Sequence, residues 1–346
     1  MKPYRFPIPA SFFGMVLGTV GIGNIWRLAA QVWMTPSWIG ESIMALASAL
    51  WTVLIVLYAG KWLYARDAAI AEAAHPVQAG FVSLVPLTTM LMALVALPYE
   101  RNVATAFWLS GVLGQLAFGV YYMGGVWKGG RDAQASTTSM YLPTVGVNLV
   151  AATVAGALGY AQWGALFFGA GVFSWLSLES VILHRHAVLA PLPLMLRASL
   201  GIQLAPPVVG AMAYLSITTG PPDLFARSLF GYGLFQALLL VRMARWFLQQ
   251  EVGASAWAFT FGVTALAAVP MRMLERGATG PETLLVWPLF LFANAFVGLL
   301  AVATLRLLFQ AQLLPKNPTQ PVSAAPSALQ CEMKTKPKNS ALKRCT

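Results

Sequence analysis

The stretch WAFTFGVTA, residues 257–265, lies in an apolar segment of membrane-spanning length and contains no charged residue. Phe261 directly precedes Gly262, and hydroxyl groups lie on either side at Thr260 and Thr264. In a membrane helix, glycine permits a bend or a close approach, and hydroxyl groups offer hydrogen bonds. Two interpretations are open from these residues alone: Phe261 plugs a pathway, or it packs against a neighbouring helix or lipid.

Composition extends this assignment to the whole chain. Its 346 residues are 58% hydrophobic and only 10% charged, with a mean hydropathy of +0.68, whereas soluble domains carry about 25% charged residues. A spanning helix needs about 20 mostly apolar residues, and long apolar runs exclude the alternating strands of a membrane barrel. The sequence therefore predicts an all-α integral membrane protein with ten transmembrane helices. The segments fall at roughly 11–33, 38–63, 77–97, 102–127, 141–159, 161–184, 194–219, 223–248, 253–274 and 281–312.

The charge distribution predicts the orientation. A net charge of +11 is compatible with nucleic-acid binding, but most basic residues lie in the loops and the tail, as the positive-inside rule expects. About 17 of the 22 Lys and Arg residues fall on one side of the ten segments. We therefore expect no nucleic-acid partner, contact with membrane lipid, and both termini in the cytoplasm.

The chain divides into two predicted parts. Residues 1–314 form the transmembrane domain. Residues 315–346 are rich in Lys, Pro, Ser and Thr and contain both cysteines, Cys331 and Cys345. That composition predicts a disordered cytoplasmic tail.

Helix-breaking residues concentrate in the odd-numbered segments. This pattern suggests five bent helices, each followed by a straighter one, in a fivefold repeat of hairpins. Because Pro and Gly are common in membrane helices generally, the pattern alone leaves the repeat open. The residues concerned are Gly14, Gly18, Gly21 and Gly23 in the first segment, Pro86 in the third, Pro143 and Gly146 in the fifth, Pro206 and Pro207 in the seventh, and Gly262 and Pro270 in the ninth.

Few polar side chains are placed to carry chemistry. We expect Arg27 to reach the outer interface or to attract anions there, and Glu179 to pair with a basic residue near the inner interface. His75, just before Pro76, is expected to cap the following helix. The chain lacks the P-loop, GxSxG, HExxH and CxxC motifs, so we expect neither an enzyme nor a bound metal or cofactor. Hydroxyl and amide groups on the odd segments remain as neutral donors to a small anion.

Several stretches, in this order, resemble the tellurite-resistance/dicarboxylate transporter family, which includes the plant slow anion channels. The resemblance covers about residues 5–312, and its specificity comes from the combination of motifs. They are FFGMVLGTVG at 12–21, HPVQAGFVSLVP at 75–86, YLPTV at 141–145, GAGVFSWLSLE at 169–179, LRASLGIQLAP at 196–206, LFGYGL at 229–234 and WAFTFGV at 257–263.

The resemblance implies five quasi-repeated helical hairpins around a central pore, assembled as a homotrimer in the bacterial inner membrane. It also implies that Phe261 is the pore gate. Plant members often have proline where this chain has Gly262, which implies a softer bend here. Other possible pore-lining residues are Phe12, Phe81, Thr260, Gly262 and Thr264.

The expected function is an inner-membrane anion channel or channel-like transporter associated with tellurite resistance, with passive flux through a neutral pore. The alternative is a secondary carrier for four-carbon dicarboxylates. The sequence offers no evident pair of mid-span basic residues for two carboxylates. A membrane enzyme or an assembly scaffold is a third interpretation, which the absent motifs and the broken helices disfavour.

Overall fold

A computed structural model describes residues 8–249 and 253–313 of the chain. Within these residues, ten helices are long and apolar enough to span a membrane, and each coincides with a predicted segment. This confirms the all-α membrane fold. The helices are α1 (Ala10–Trp33), α2 (Ser37–Tyr64), α3 (Ala79–Ala96), α4 (Arg101–Trp127), α5 (Thr138–Ala157), α6 (Ala161–Val188), α7 (Leu194–Ile217), α8 (Leu224–Arg242), α9 (Ala254–Glu275) and α10 (Pro281–Phe309).

The predicted tail over 315–346, with both cysteines, lies outside the described residues. Two short α-helices accompany the spanning ones in the described part of the chain, Arg66–Ala74 between α2 and α3 and Ala244–Phe247 after α8, and a 3₁₀ turn, Ala133–Ala135, lies between α4 and α5.

Consecutive helices pack as five hairpins, because each odd-numbered helix contacts the even-numbered helix that follows it. The odd-numbered helices also contact one another in the order α1, α3, α5, α7 and α9, and α9 returns to contact α1. The five odd-numbered helices therefore form a closed inner ring, with one even-numbered helix of each hairpin outside it. This confirms the predicted arrangement around a central axis.

Burial separates the two sets of helices. In the most apolar window of each odd-numbered helix, between 61% and 72% of the residues are buried, compared with 22% to 28% in the even-numbered helices. The even-numbered helices leave large apolar side chains exposed, among them Leu113, Phe173 and Leu299. Apolar residues on the outside are expected of a surface that faces lipid, where nothing drives them inward.

All five odd-numbered helices change their winding in the first half of their length. Among the even-numbered helices, α2, α4, α6 and α8 are continuous. Short 3₁₀ or π turns at such points commonly mark a functional bend. The changes are the 3₁₀ turn Ala10–Phe12 before α1 continues, the interruption at Ser83 in α3, the 3₁₀ and π turns Thr138–Tyr141 and Leu142–Gly146 in α5, the 3₁₀ turn Ala198–Leu204 in α7 and the 3₁₀ turn Ala254–Phe259 in α9.

Several prolines of the spanning helices lie where an α-helical stretch restarts. Pro86 is the third residue of Leu84–Ala96, and Pro206 and Pro207 follow the first residue of Ala205–Ile217. In a first turn the backbone N–H has no partner within the helix, so proline removes no hydrogen bond there. Among the prolines that the structure describes, only Pro270 lies well inside its α-helical stretch.

Glycine allows α1 and α9 to approach closely. A Cβ atom added at Gly18 would overlap the Thr260 side chain, and one added at Gly21 would overlap Thr264. The helices therefore run side by side with Gly18 beside Thr260 and Gly21 beside Thr264.

Candidate functional site

A cavity of about 60 Å³ lies at the centre of the inner ring. A water molecule occupies about 10–15 Å³ on this measure, so the cavity has room for several waters or a small anion. All five odd-numbered helices contribute to its wall. The lining residues are Val20, Gly21 and Asn24 from α1, Leu91 and Leu94 from α3, Val150 and Thr153 from α5, Val209 and Met212 from α7, and Phe261, Thr264, Ala265 and Ala268 from α9.

The wall is uncharged and largely apolar. Its three polar side chains are Asn24, Thr153 and Thr264. Both threonine hydroxyls donate to their own helices: Thr153 Oγ1 to the Leu149 carbonyl at 2.9 Å, and Thr264 Oγ1 to the Thr260 carbonyl at 2.9 Å. Such back-bonding leaves only lone pairs for the cavity.

Phe261 lies on the cavity wall, in the first turn of the α-helical part of α9. The nearby Phe259, which is also half-buried, lies elsewhere: its ring is 5.2 Å from the Phe247 ring and 6.2 Å from the Phe296 ring. Of these two phenylalanines only Phe261 borders the cavity.

Among the other predicted pore-lining residues, only Thr264 belongs to this cavity wall. Thr260 is fully buried and packs beside Gly18. Gly262 faces α7, since a Cβ added there would lie 2.9 Å from Leu204 Cβ. Both therefore belong to contacts between helices.

Phe12 and Phe81 are also absent from the cavity wall. Phe12 ends the 3₁₀ turn of α1 and is buried, and Phe81 is half-buried in the first turn of α3. A role for either of them in lining the path nearer the helix starts stays a prediction.

Arg27 is held between helices rather than extended into the interface. Its guanidinium forms a bidentate salt bridge with Glu41, with distances of 2.8 Å from Nε to Oε1 and 2.7 Å from Nη2 to Oε2. It also donates to the Leu94 and Val95 carbonyls at 2.7 and 3.3 Å. The charge at this end of the ring is therefore compensated by a carboxylate, which weakens any attraction of Arg27 for anions.

The prediction that Glu179 pairs with a basic residue is wrong. Within the described residues, its hydrogen-bond donors are neutral: Tyr141 Oη at 2.5 Å, Gln203 Nε2 at 2.7 Å, Trp175 Nε1 at 2.8 Å and, more distantly, Tyr232 Oη at 3.5 Å. Several strong donors satisfy a carboxylate without a cation. The cluster ties α5, α6 and α7 together.

A buried ion pair that the sequence analysis missed lies between α1, α2 and the short helix Arg66–Ala74. Lys61 Nζ is 2.7 Å from Glu72 Oε2, and Glu72 Oε1 accepts the backbone N–H of Ala10 at 2.8 Å. Both side chains are almost fully buried. Lys61 lies near the end of the predicted segment 38–63, and nothing in the sequence pattern pairs it with Glu72.

A family model described as SLAC1, voltage-dependent anion channel, matches residues 7–308. The chain belongs to this family. The match confirms the family assignment made from the motifs.

Three relatives illustrate its range. The tellurite resistance protein TehA homolog of Haemophilus influenzae is 33% identical over 312 residues, which are 90% of this chain and 94% of that protein. The S-type anion channel SLAH2 of Arabidopsis thaliana is 22% identical over 334 residues, covering 93% of this chain and 63% of the plant protein. The uncharacterized transporter MJ0576 of Methanocaldococcus jannaschii is 23% identical over 249 residues, covering 63% of this chain and 70% of that protein.

Proposed function

We propose that this SLAC1-family protein is an anion channel or channel-like transporter whose path runs through the inner ring and is closed by Phe261. The observation that carries the proposal is the uncharged cavity at the ring's centre, lined by all five odd-numbered helices and bordered by the Phe261 ring. The family match and the plant anion-channel relative support the same class of substrate.

The wall favours passage over tight binding. Conduction requires that an ion bind well enough to enter and weakly enough to leave, and an apolar constriction gates by excluding water. A path without fixed charge lets the anion leave, because no cationic side chain holds it. The Phe261 ring supplies the apolar constriction that excludes water and closes the path.

We also propose a link to tellurite resistance, because the Haemophilus relative carries that name and matches almost the full chain. In this proposal the protein exports the tellurium oxyanion or a related toxic species. Cells that express the protein should retain less tellurite than cells without the gene. Equal retention in both would contradict the export proposal.

The setting we propose is a bacterial inner membrane, with both termini cytoplasmic and three copies assembled as a homotrimer. The distribution of Lys and Arg supports the orientation, and the family resemblance supports the membrane and the trimer. We propose transport rather than catalysis, since the cavity wall carries no ionisable side chain to act as acid, base or nucleophile. Chemical cross-linking of the purified protein should stop at a trimer, and a different limiting species would contradict that assembly.

Anion efflux from proteoliposomes tests the channel and its gate together. Phe261→Ala should raise chloride efflux well above that of the wild type, because it removes the bulk that closes the cavity. Phe259→Ala is the matched control: it deletes a ring of the same size two residues away that does not border the cavity. We expect it to leave efflux near the wild-type level.

Two results would contradict this proposal. Equal efflux from both variants would mean that Phe261 is not the gate. Saturable, counter-ion-coupled exchange of four-carbon dicarboxylates, without chloride efflux, would favour the secondary carrier.

A further inference from the structure

The cavity wall has one polar side chain whose hydrogen-bonding capacity is unused. Asn24 lines the cavity from α1 and forms no hydrogen bond with any residue that the structure describes. The other polar lining side chains, Thr153 and Thr264, have already given their hydroxyl protons to carbonyls of their own helices. Asn24 is therefore the side chain on this wall with N–H groups free to donate.

Two other asparagines, which lie in the interior of spanning helices, use both ends of their side-chain amides. Asn148 Nδ2 donates to the Thr144 carbonyl, and its Oδ1 accepts from Gln115 at 2.7 Å. Asn294 Nδ2 donates to the Phe290 carbonyl at 2.8 Å, and its Oδ1 accepts from Trp26 at 2.8 Å. Polar side chains in a membrane interior normally find such partners, because leaving them unpaired is costly. An unpaired amide that lines a cavity therefore points to a partner that enters the cavity.

The register of α1 against α9 gives the position of Asn24 along the axis of the ring. Because Gly18 lies beside Thr260 and Gly21 beside Thr264, Asn24 lies about level with Ala268, which also lines the cavity. Ala268 follows Phe261 by seven residues, so at 1.5 Å per residue Asn24 is about 10 Å further along the axis than the Phe261 backbone. The amide and the aromatic ring therefore lie at opposite ends of one cavity.

The nearest fixed charge on α1 does not serve the same purpose. Arg27 is one turn beyond Asn24, but its guanidinium is occupied by Glu41 and by two backbone carbonyls of α3. It is also absent from the cavity wall. A small anion in this cavity therefore meets the Asn24 amide and no cationic side chain.

We propose that Asn24 is the anion-binding group of this cavity and a determinant of its selectivity for anions over cations. The amide N–H groups donate to a desolvated halide or a small oxyanion held beyond Phe261. A neutral donor suits this position because it stabilises the anion without the strong attraction that would stop it leaving. The inference rests on the anion-conducting function proposed above.

The test measures reversal potentials in planar bilayers under a potassium chloride gradient, with Phe261→Ala as the conducting parent. Asn24→Asp added to this parent replaces donors with a negative acceptor of the same shape. A hydrogen bond to a charged group changes a binding constant by more than about a factor of ten. The chloride-to-potassium permeability ratio should therefore fall at least about tenfold. Asn24→Ala, which removes the donors without adding charge, should lower the same ratio by a smaller factor.

Asn102→Asp in the same parent is the matched control. Asn102 is exposed in the first turn of α4, away from the cavity, so this variant makes the same chemical change and should keep the parent's ratio.

The outcomes separate this inference from the proposed function. An unchanged ratio in both Asn24 variants, with chloride current intact, would overturn the role of Asn24 alone. A larger current with an unchanged ratio in Asn24→Ala would do the same, because it would mean that Asn24 only narrows the cavity. No chloride current from the Phe261→Ala parent would overturn the proposed function, and the Asn24 site with it. If Asn24→Asp does not yield folded protein, Asn24→Ala decides between these outcomes.

Discussion

At the scale of single residues, His75 is a predicted cap that the structure confirms. Its Nδ1 accepts the backbone N–H groups of Val77 and Gln78, both at 3.1 Å, just before α3 begins. Only the unprotonated ring accepts a hydrogen bond at this nitrogen. Burial lowers the pKa of His75 below its ordinary value, because a charged imidazole is harder to bury than a neutral one.

This cap predicts a pH-dependent stability. A lowered pKa in the folded state means that folding favours the neutral ring. The contribution is therefore complete above about pH 6.5 and is lost as the pH falls through the lower folded-state pKa. The melting temperature of the purified protein should thus fall on acidification more steeply for the wild type than for His75→Asn. Asparagine keeps an acceptor for the cap but does not titrate.

His75→Ala gives the size of the cap itself. It should lower the free energy of unfolding by about 1 kcal/mol at neutral pH. Like His75→Asn, it should show a smaller fall in melting temperature on acidification than the wild type. If the wild type and His75→Asn have parallel pH profiles, His75 does not contribute to the acid response.

The residue scale also marks where sequence reasoning stops. Phe261 was identifiable because it precedes Gly262 in a recognisable motif. Asn24 is equally visible in the first segment, but what singles it out is the absence of a hydrogen-bond partner among the described residues. That property depends on which neighbours the fold supplies: Asn148 looks equivalent in sequence and is satisfied by Gln115. Glu179 was misjudged for the same reason, since most of its donors come from other helices.

At the scale of elements, α1 and α9 are in close contact within the inner ring. Gly18→Val should force α1 away from Thr260 and the Trp257 ring, which crowd a Cβ at this position. Overpacking of this kind costs typically about 1–3 kcal/mol, so the melting temperature should fall. Gly298→Val is the control, because Gly298 is exposed on α10 with nothing near its missing Cβ.

We expect Gly298→Val to change the stability by no more than about 0.5 kcal/mol. Equal melting temperatures for the two valine variants would mean that α1 and α9 tolerate separation, and that close packing at Gly18 does not hold the ring.

Element boundaries were predictable because membrane thickness fixes the length of an apolar segment. The prediction over 102–127 matches α4, which spans Arg101–Trp127. The prediction over 223–248 runs past the end of α8 at Arg242, since Trp246, Phe247 and Leu248 keep the sequence apolar after the chain has turned. Prolines located the breaks in α3, α5 and α7, but the 3₁₀ turn of α9, Ala254–Phe259, precedes the predicted breakers Gly262 and Pro270. The residue pattern left the fivefold repeat open, and the central pore was implied by the family resemblance.

At the scale of the whole molecule, the wall of the central cavity contains no charged side chain among the described residues. Arg27 pairs with Glu41, Lys61 pairs with Glu72, and Glu179 is surrounded by neutral donors. The cavity at the centre of the ring is left with apolar walls, the Asn24 amide and the Phe261 ring. In this account the Lys- and Arg-rich face of the protein attracts anions, Asn24 selects them and Phe261 blocks their passage.

Single-channel recording of a size series at position 261 tests the central claim most directly. Purified protein carrying Trp, Phe, Leu or Ala at this position is compared in planar bilayers with chloride as the permeant ion. We predict that open probability or unitary current rises as the side chain becomes smaller, in the order Phe261→Trp, wild type, Phe261→Leu, Phe261→Ala, because a smaller side chain leaves a wider and wetter path. Chloride currents that do not depend on the size of residue 261 would contradict the claim that Phe261 closes the pore.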